Sequence, residues 1–147
     1  MRSRALSGFT LIELMVVVAV IVVLASLVLA AAGSVQKKGA RSRTEGEIAA
    51  IGAALESFKA DNGDYPSNNI VGSSACIVTN LMPTNGTKVY YEFNPRNLTN
   101  NNYLDPFGYS YNYIYTNGAP NNGSNCYDLW SVAGSSNNPT NTWIKNW

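Results

Sequence analysis

The chain has 147 residues, with ten basic and nine acidic side chains and no histidine. That length fits one small domain with an accessory element. A net charge of +1 excludes a nucleic-acid binder that works through bulk positive charge. The absence of histidine removes the commonest general base and the commonest zinc ligand, and two cysteines cannot build a four-thiolate metal site. The composition is also sharply uneven. Residues 1–61 hold no Asn, Tyr, Trp or Pro, whereas residues 62–147 hold all 19 Asn, 9 Tyr, 3 Trp and 6 Pro. A helix-forming front half precedes a turn-rich, aromatic back half.

Met1–Gly8 (MRSRALSG) carries Arg2 and Arg4 as its only charged side chains. Phe9–Ala32 follows as an apolar run whose single charge is Glu13. As a helix the run is roughly 36 Å long, enough for a bilayer core of about 30 Å. Three readings compete. A cleaved secretory signal has an apolar stretch of roughly 7–15 residues, shorter than this one. A plain single-span anchor leaves Glu13 unexplained, because a carboxylate inside an apolar helix is costly without a partner. A cut after Gly8 that retains the run puts the new amine of Phe9 beside Glu13 and gives that carboxylate a partner.

Gln36–Ala60 is polar but helical in composition. Ile48, Ile51, Leu55 and Phe58 recur at spacings of three and four and predict one apolar stripe, which packs on the chain's own sheet. Ala49, Ala50, Ala53 and Ala54 allow close approach of a neighbouring helix. Lys37, Lys38, Arg41 and Arg43 lie just beyond the apolar run, as a solvated face near lipid headgroups or as partners for Glu45 and Glu47 of adjacent subunits. The helix stops at Asp61-Asn62-Gly63, where Gly63 suits a left-handed cap and Pro66 prevents resumption. A helix from about Thr10 to Asp61 is roughly 75 Å long, more than a head of this size can cover.

GFTLIE at Gly8–Glu13, with the unbroken apolar helix after it, resembles the class III leader of type IV pilins and pseudopilins. Three head segments narrow the resemblance to the major pseudopilins of type II secretion: ESFKADNGDYP at Glu56–Pro66, YLDPFGYSY at Tyr103–Tyr111 and DLWSVAG at Asp128–Gly134. The resemblance implies cleavage after Gly8 by a membrane prepilin peptidase, N-methylation of Phe9 and an assembly role for Glu13. It implies a filament subunit that forms a helical homopolymer, with an inner-membrane assembly platform, minor pseudopilins or pilins and membrane lipid as further partners. It places the head outside the cytoplasm. A surface pilin with an adhesive or DNA-uptake role is the alternative. No direct nucleic-acid contact is expected, since the head has only Lys88, Arg96 and Lys145 as basic residues. Many relatives have a proline at the position of Ala30; here the weak points fall at Ala31–Ser34.

The expected fold class is α+β: a long N-terminal helix, membrane-spanning in its first half, packed against a small antiparallel-sheet head. The boundaries are 1–8 for the leader, 9–32 for the span, 33–62 for the amphipathic half and 63–147 for the head. Strands are predicted at Lys88–Phe93, Tyr109–Tyr115 and Tyr127–Val132, while Cys76–Met82 reads equally as strand or short helix. Asp105–Gly108, Asn117-Gly118 and Asn122-Gly123 signal turns. With the head outside the cytoplasm, Cys76 and Cys126 are expected to form a disulfide, two free thiols being the alternative. Major pseudopilins bind calcium in an acidic C-terminal loop. Gly134–Trp143 has no acid, so no calcium or other cofactor is expected, with Asp128 and Asp105 as the only weak candidates. Tyr103, Tyr109, Trp130 and Trp143 are candidates for a sugar-stacking platform, against the simpler reading of core and subunit contacts. No enzyme is expected. Asp61 and Asp64, the closest carboxylate pair of the head region, fit helix-end capping.

Overall fold

The computed structural model describes residues 8–67, 73–115, 121–123, 125–134 and 140–147. It falls into two compact units, Met1–Lys38 and Gly39–Trp147. One helix, α1 (Leu11–Asn62), supplies the regular structure of the first unit and enters the second. It is helical through Ala31–Ser34, so the expected weak point produces no break in this chain. Its end matches expectation: Gly63 has φ +87 and its N–H donates to Lys59 O at 2.7 Å. An L side chain rarely adopts that φ, which fixes glycine as the terminator.

Within the second unit the head contains α2 (Ala75–Leu81), β1 (Leu98–Thr99), β2 (Asn102–Tyr103), β3 (Asn112–Ile114), β4 (Asp128–Ser131) and β5 (Ile144–Lys145). The strands make two antiparallel sheets, β1-β2 and β3-β4-β5. The segment open between strand and helix is therefore a helix, and the strands expected around Tyr109–Tyr115 and Tyr127–Val132 are β3 and β4. Lys88–Phe93 is not a strand. Its backbone instead closes the end of α2, with Tyr90 N and Tyr91 N both donating to Leu81 O. That takes up the donors a ladder would need. The β1-β2 hairpin turns on Asn100 and Asn101 at φ 50 and 63. Two successive positive φ values match the twist of a two-residue hairpin loop, and asparagine tolerates them best after glycine.

The core lies between the distal half of α1 and the head. Ile48, Ile51 and Leu55 from α1 join Ile77, Val78 and Leu81 from α2 and Tyr111, Tyr113, Leu129 and Ile144 from the three-stranded region, with Phe58 packed at the edge. The apolar stripe read from the sequence is thus the face that meets the head. Ala54 also turns inward, while Ala49, Ala50 and Ala53 stay exposed. Tyrosine supplies much of the core volume: Tyr65, Tyr103, Tyr111, Tyr113 and Tyr127 are all buried. Each large ring removes much apolar area from water, which a head this small needs.

Candidate functional site: the N-terminal junction and its helix

Gly8, Phe9 and Thr10 precede α1 without regular structure and are exposed. Thr10 then caps the helix. Its Oγ1 accepts the Glu13 N–H at 3.3 Å, while Glu13 Oε2 accepts the Thr10 N–H at 2.8 Å and the Thr10 hydroxyl at 2.7 Å. This is a reciprocal capping box, Thr-x-x-Glu, satisfying two of the donors that a helix start leaves open. The acid also sits at the positive end of the helix dipole. The same bonds bring the Glu13 carboxylate to the residue next to Phe9, so an amine at Phe9 would arise beside it. The sequence reading paired Glu13 with that amine and missed the cap, although the signal stood in GFTLIE.

Beyond Glu13 the helix offers only apolar surface. From Leu11 to Leu29 its large apolar side chains are each between 48% and 76% exposed. In water that surface would be strongly unfavourable, at about 25 cal/mol per Å². Lipid or copies of the same helix can cover it. The helix is long and apolar enough to cross a membrane.

The charges that follow the span are arranged differently from expectation. Arg41 pairs with Glu45 on its own helix at 3.2 Å and also donates to Thr142 O. Glu47 accepts the Tyr111 hydroxyl at 2.7 Å. The two acids named as partners for adjacent subunits thus have partners within the chain, Glu45 on its own helix and Glu47 in the head. Glu56 likewise accepts from Tyr65, Asp61 from Lys88 and Tyr90, and Asp64 from Tyr115. Asp61 and Asp64 are both held below the usual carboxylate range, the first mainly by Lys88 and the second mainly by the Tyr115 hydroxyl. They fasten the end of α1 to the head through side-chain partners, where the sequence reading expected helix-end capping.

The chain is matched over residues 32–147 by the family model described as "Type II secretion system (T2SS), protein G", and over residues 4–29 by the "Prokaryotic N-terminal methylation motif". The chain belongs to the type II secretion system protein G family. It is 37% identical over 119 residues to the type II secretion system core protein G of Pseudomonas aeruginosa, covering 78% of this chain and 77% of that protein. It is 32% identical to the Vibrio cholerae protein of the same name, over 77% of this chain and 73% of the relative. The Escherichia coli protein matches at 31% over 95% of this chain and 90% of its own length. No solved structure shows significant similarity.

The carboxylates weighed as calcium ligands are engaged by donors of the chain itself. Asp105 is buried, with Oδ1 accepting from Phe107 N and Tyr109 N and Oδ2 from the Ser131 hydroxyl. Asp128 is fully buried, with Oδ2 accepting from Asn121 N and Nδ2 and Oδ1 from Asn122 N. Among the described residues no three His, Cys, Asp or Glu side chains gather into a metal-binding group. Residues 135–139 of the C-terminal loop, and the Asn117-Gly118 turn, lie outside the described residues.

The expected disulfide is not formed in this structure. Cys76 and Cys126 are free thiols, the first half-buried and donating to Ser67 O at 3.0 Å, the second exposed. Burial pushes the Cys76 thiol up. Of the aromatic candidates, Tyr103 is core and Tyr109 is 40% exposed. Trp130 and Trp143 stack on each other, with centroids 6.0 Å apart and planes 13° from parallel, and Trp147 meets Trp130 edge-on. Trp130 and Trp143 are half-buried and lie outside the core cluster, which holds Tyr103.

Proposed function

We infer that the protein is a structural subunit of the type II secretion pseudopilus and polymerises through its N-terminal helix. The observation that carries this is an exposed apolar run over Leu11–Leu29 in a chain whose distal helix and head already close a core of their own. Membership of the protein G family supports it, and so does the methylation motif over residues 4–29. The subunit resides in the inner membrane with its head outside the cytoplasm. A prepilin peptidase cuts after Gly8 and Phe9 is methylated. An assembly platform then lifts the span into a bundle with other copies, capped by minor pseudopilins. The exposed small residues Ala49, Ala50 and Ala53 leave room for neighbouring helices. The surface-pilin alternative has the tryptophan cluster in its favour, but the family match favours secretion.

Glu13 carries two jobs that substitution can separate. Gln keeps the oxygen needed for the capping box and removes the charge that would pair with the Phe9 amine; Ala removes both. E13Q and E13A are therefore both expected to insert and to be cut after Gly8, and both to lose sheared-filament yield by roughly a hundredfold or more, since a buried charge left without its partner is strongly unfavourable. Membrane fractionation, intact-mass analysis and filament yield at matched expression provide the readouts. Mass analysis should find a mature chain beginning at Phe9 with one methyl group. Full assembly by E13Q with failure of E13A would make the cap, and not the charge, the assembly determinant.

Two further properties belong to this reading. The head stays folded without calcium, its carboxylates being held by amide and hydroxyl donors. In an oxidising compartment Cys76 and Cys126 join.

A further inference from the structure

Lys37 and Lys38 are exposed and, among the described residues, have no ion-pair or hydrogen-bond partner. They belong to the same unit as the apolar run. Lys37 follows Ala32 by five residues, about 7.5 Å along a helix. The headgroup layer on each side of a bilayer is roughly 5–7 Å thick. A lysine ammonium on its flexible stem therefore lies within that layer when the apolar run fills the hydrocarbon core.

A second observation concerns orientation. Lysines and arginines near a span favour the cytoplasmic side. Here the leader side has Arg2 and Arg4, and the head side has Lys37, Lys38, Arg41 and Arg43. The tally opposes a head outside the cytoplasm, and removal of the leader makes the imbalance larger. Of these four cations Lys37 and Lys38 lie nearest the span, and neither has a carboxylate partner among the described residues.

We propose that Lys37 and Lys38 bind net-negative lipid headgroups at the head-side interface of the membrane, holding the processed subunit in place until assembly withdraws it. The ligand chemistry is a phosphodiester not neutralised by an amine of its own lipid. The inference rests on the span assigned under the proposed function. Two lysines at a membrane surface should favour an anionic over a zwitterionic lipid by about thirtyfold.

The test uses the full-length processed protein in nanodiscs containing equal amounts of phosphatidylglycerol and phosphatidylcholine. Native mass spectrometry of the released protein counts retained lipids of each kind. The expected result is a phosphatidylglycerol preference of about thirtyfold, lost in K37Q/K38Q and strongly reduced by high salt. Equal retention of both lipids by the wild type would overturn the proposal, and so would a preference that survives K37Q/K38Q. If retention is equal while K37Q/K38Q lowers filament yield, the lysines instead pair with an acid of a neighbouring copy, and the proposal falls. Failure of the wild type to enter nanodiscs would reject the span itself; entry without lipid preference rejects this inference alone.

Discussion

Replacing Tyr111 with Phe tests whether the head is locked to α1 by a charge-assisted hydrogen bond. Tyr111 has no exposed surface, its ring stacks on Tyr103 at 5.6 Å, and its hydroxyl donates to Glu47 Oε2 at 2.7 Å. Burial, and then the bond to Glu47, hold the phenol well above its usual range. Phe preserves the ring and deletes only the donor. A hydrogen bond to a charged group contributes about 1.5–3 kcal/mol. Glu47 is half-buried, so water can partly replace the lost donor, which points to the lower end. A loss of about 1.5 kcal/mol in a domain of this size lowers Tm by about 6–12 °C. Tyr113→Phe is the control: its hydroxyl donates to the neutral Pro66 O at 2.8 Å, and the loss should be smaller, about 1 kcal/mol. Melting of the full-length protein in detergent, followed by near-UV circular dichroism, provides the values. E47Q completes a double-mutant cycle with Y111F, and coupling of about 1 kcal/mol is expected. A Y111F midpoint unchanged from wild type, or strict additivity in the cycle, would refute the lock.

The head should unfold in alkali. Burial raises both Tyr103 and Tyr127 to about 12, so their contribution is intact below the ordinary tyrosine value near 10 and is lost as pH climbs through about 12; absorbance at 295 nm and circular dichroism should change together. Peptide mapping of envelope-derived protein under non-reducing conditions should find Cys76 linked to Cys126, with reduction costing about 4 kcal/mol of stability in the chain-entropy picture; two alkylatable thiols would sink that pairing. Melting in chelator and in millimolar calcium should agree within a few degrees, and a large rise with calcium would show that Asp128 or Asp105 exchanges its N–H donors for a cation. Ala133, at φ 52, should gain up to about 1 kcal/mol on change to Gly, because an L side chain in the left-handed region is strained; destabilisation would mean that its methyl packing outweighs that strain.

Much of the architecture was legible because it rests on periodicity and on residues with few alternatives. The stripe Ile48, Ile51, Leu55 and Phe58 marked the face that meets the head. Gly63 before Pro66 marked the end of α1. Asp105-Pro-Phe-Gly announced a turn, which closes through Gly108 N to Asp105 O at 2.9 Å. Errors arose where local preference competed with a distant demand. Val89, Tyr90, Tyr91 and Phe93 have strand-forming side chains, yet their aromatic positions do not alternate, and the end of α2 takes the backbone donors. β1, β2 and β5 have two residues each, too few for any periodic signal. At the N-terminal junction Glu13 was assigned a single partner. Its bonds to Thr10 lie within one helical turn and needed no tertiary information.

The distribution of satisfied groups explains why this chain would assemble through one part of itself. In the head and distal helix seven acids, Glu45, Glu47, Glu56, Asp61, Asp64, Asp105 and Asp128, have a partner within the chain, and Glu92 is exposed. Breaking any of them to bind a neighbour would cost what it gained. The apolar stripe of the distal helix is likewise consumed by the core. The span keeps its apolar surface, and Lys37 and Lys38 keep their charges. Apolar surface alone gives no axial register, since a valine-rich helix slides past its neighbour with little change in contact. Register requires a group whose energy depends steeply on position, and within the span Glu13 is the charged side chain that can supply it. The capping box then has a further consequence. By tying the carboxylate to Thr10, it fixes the charge at the helix start.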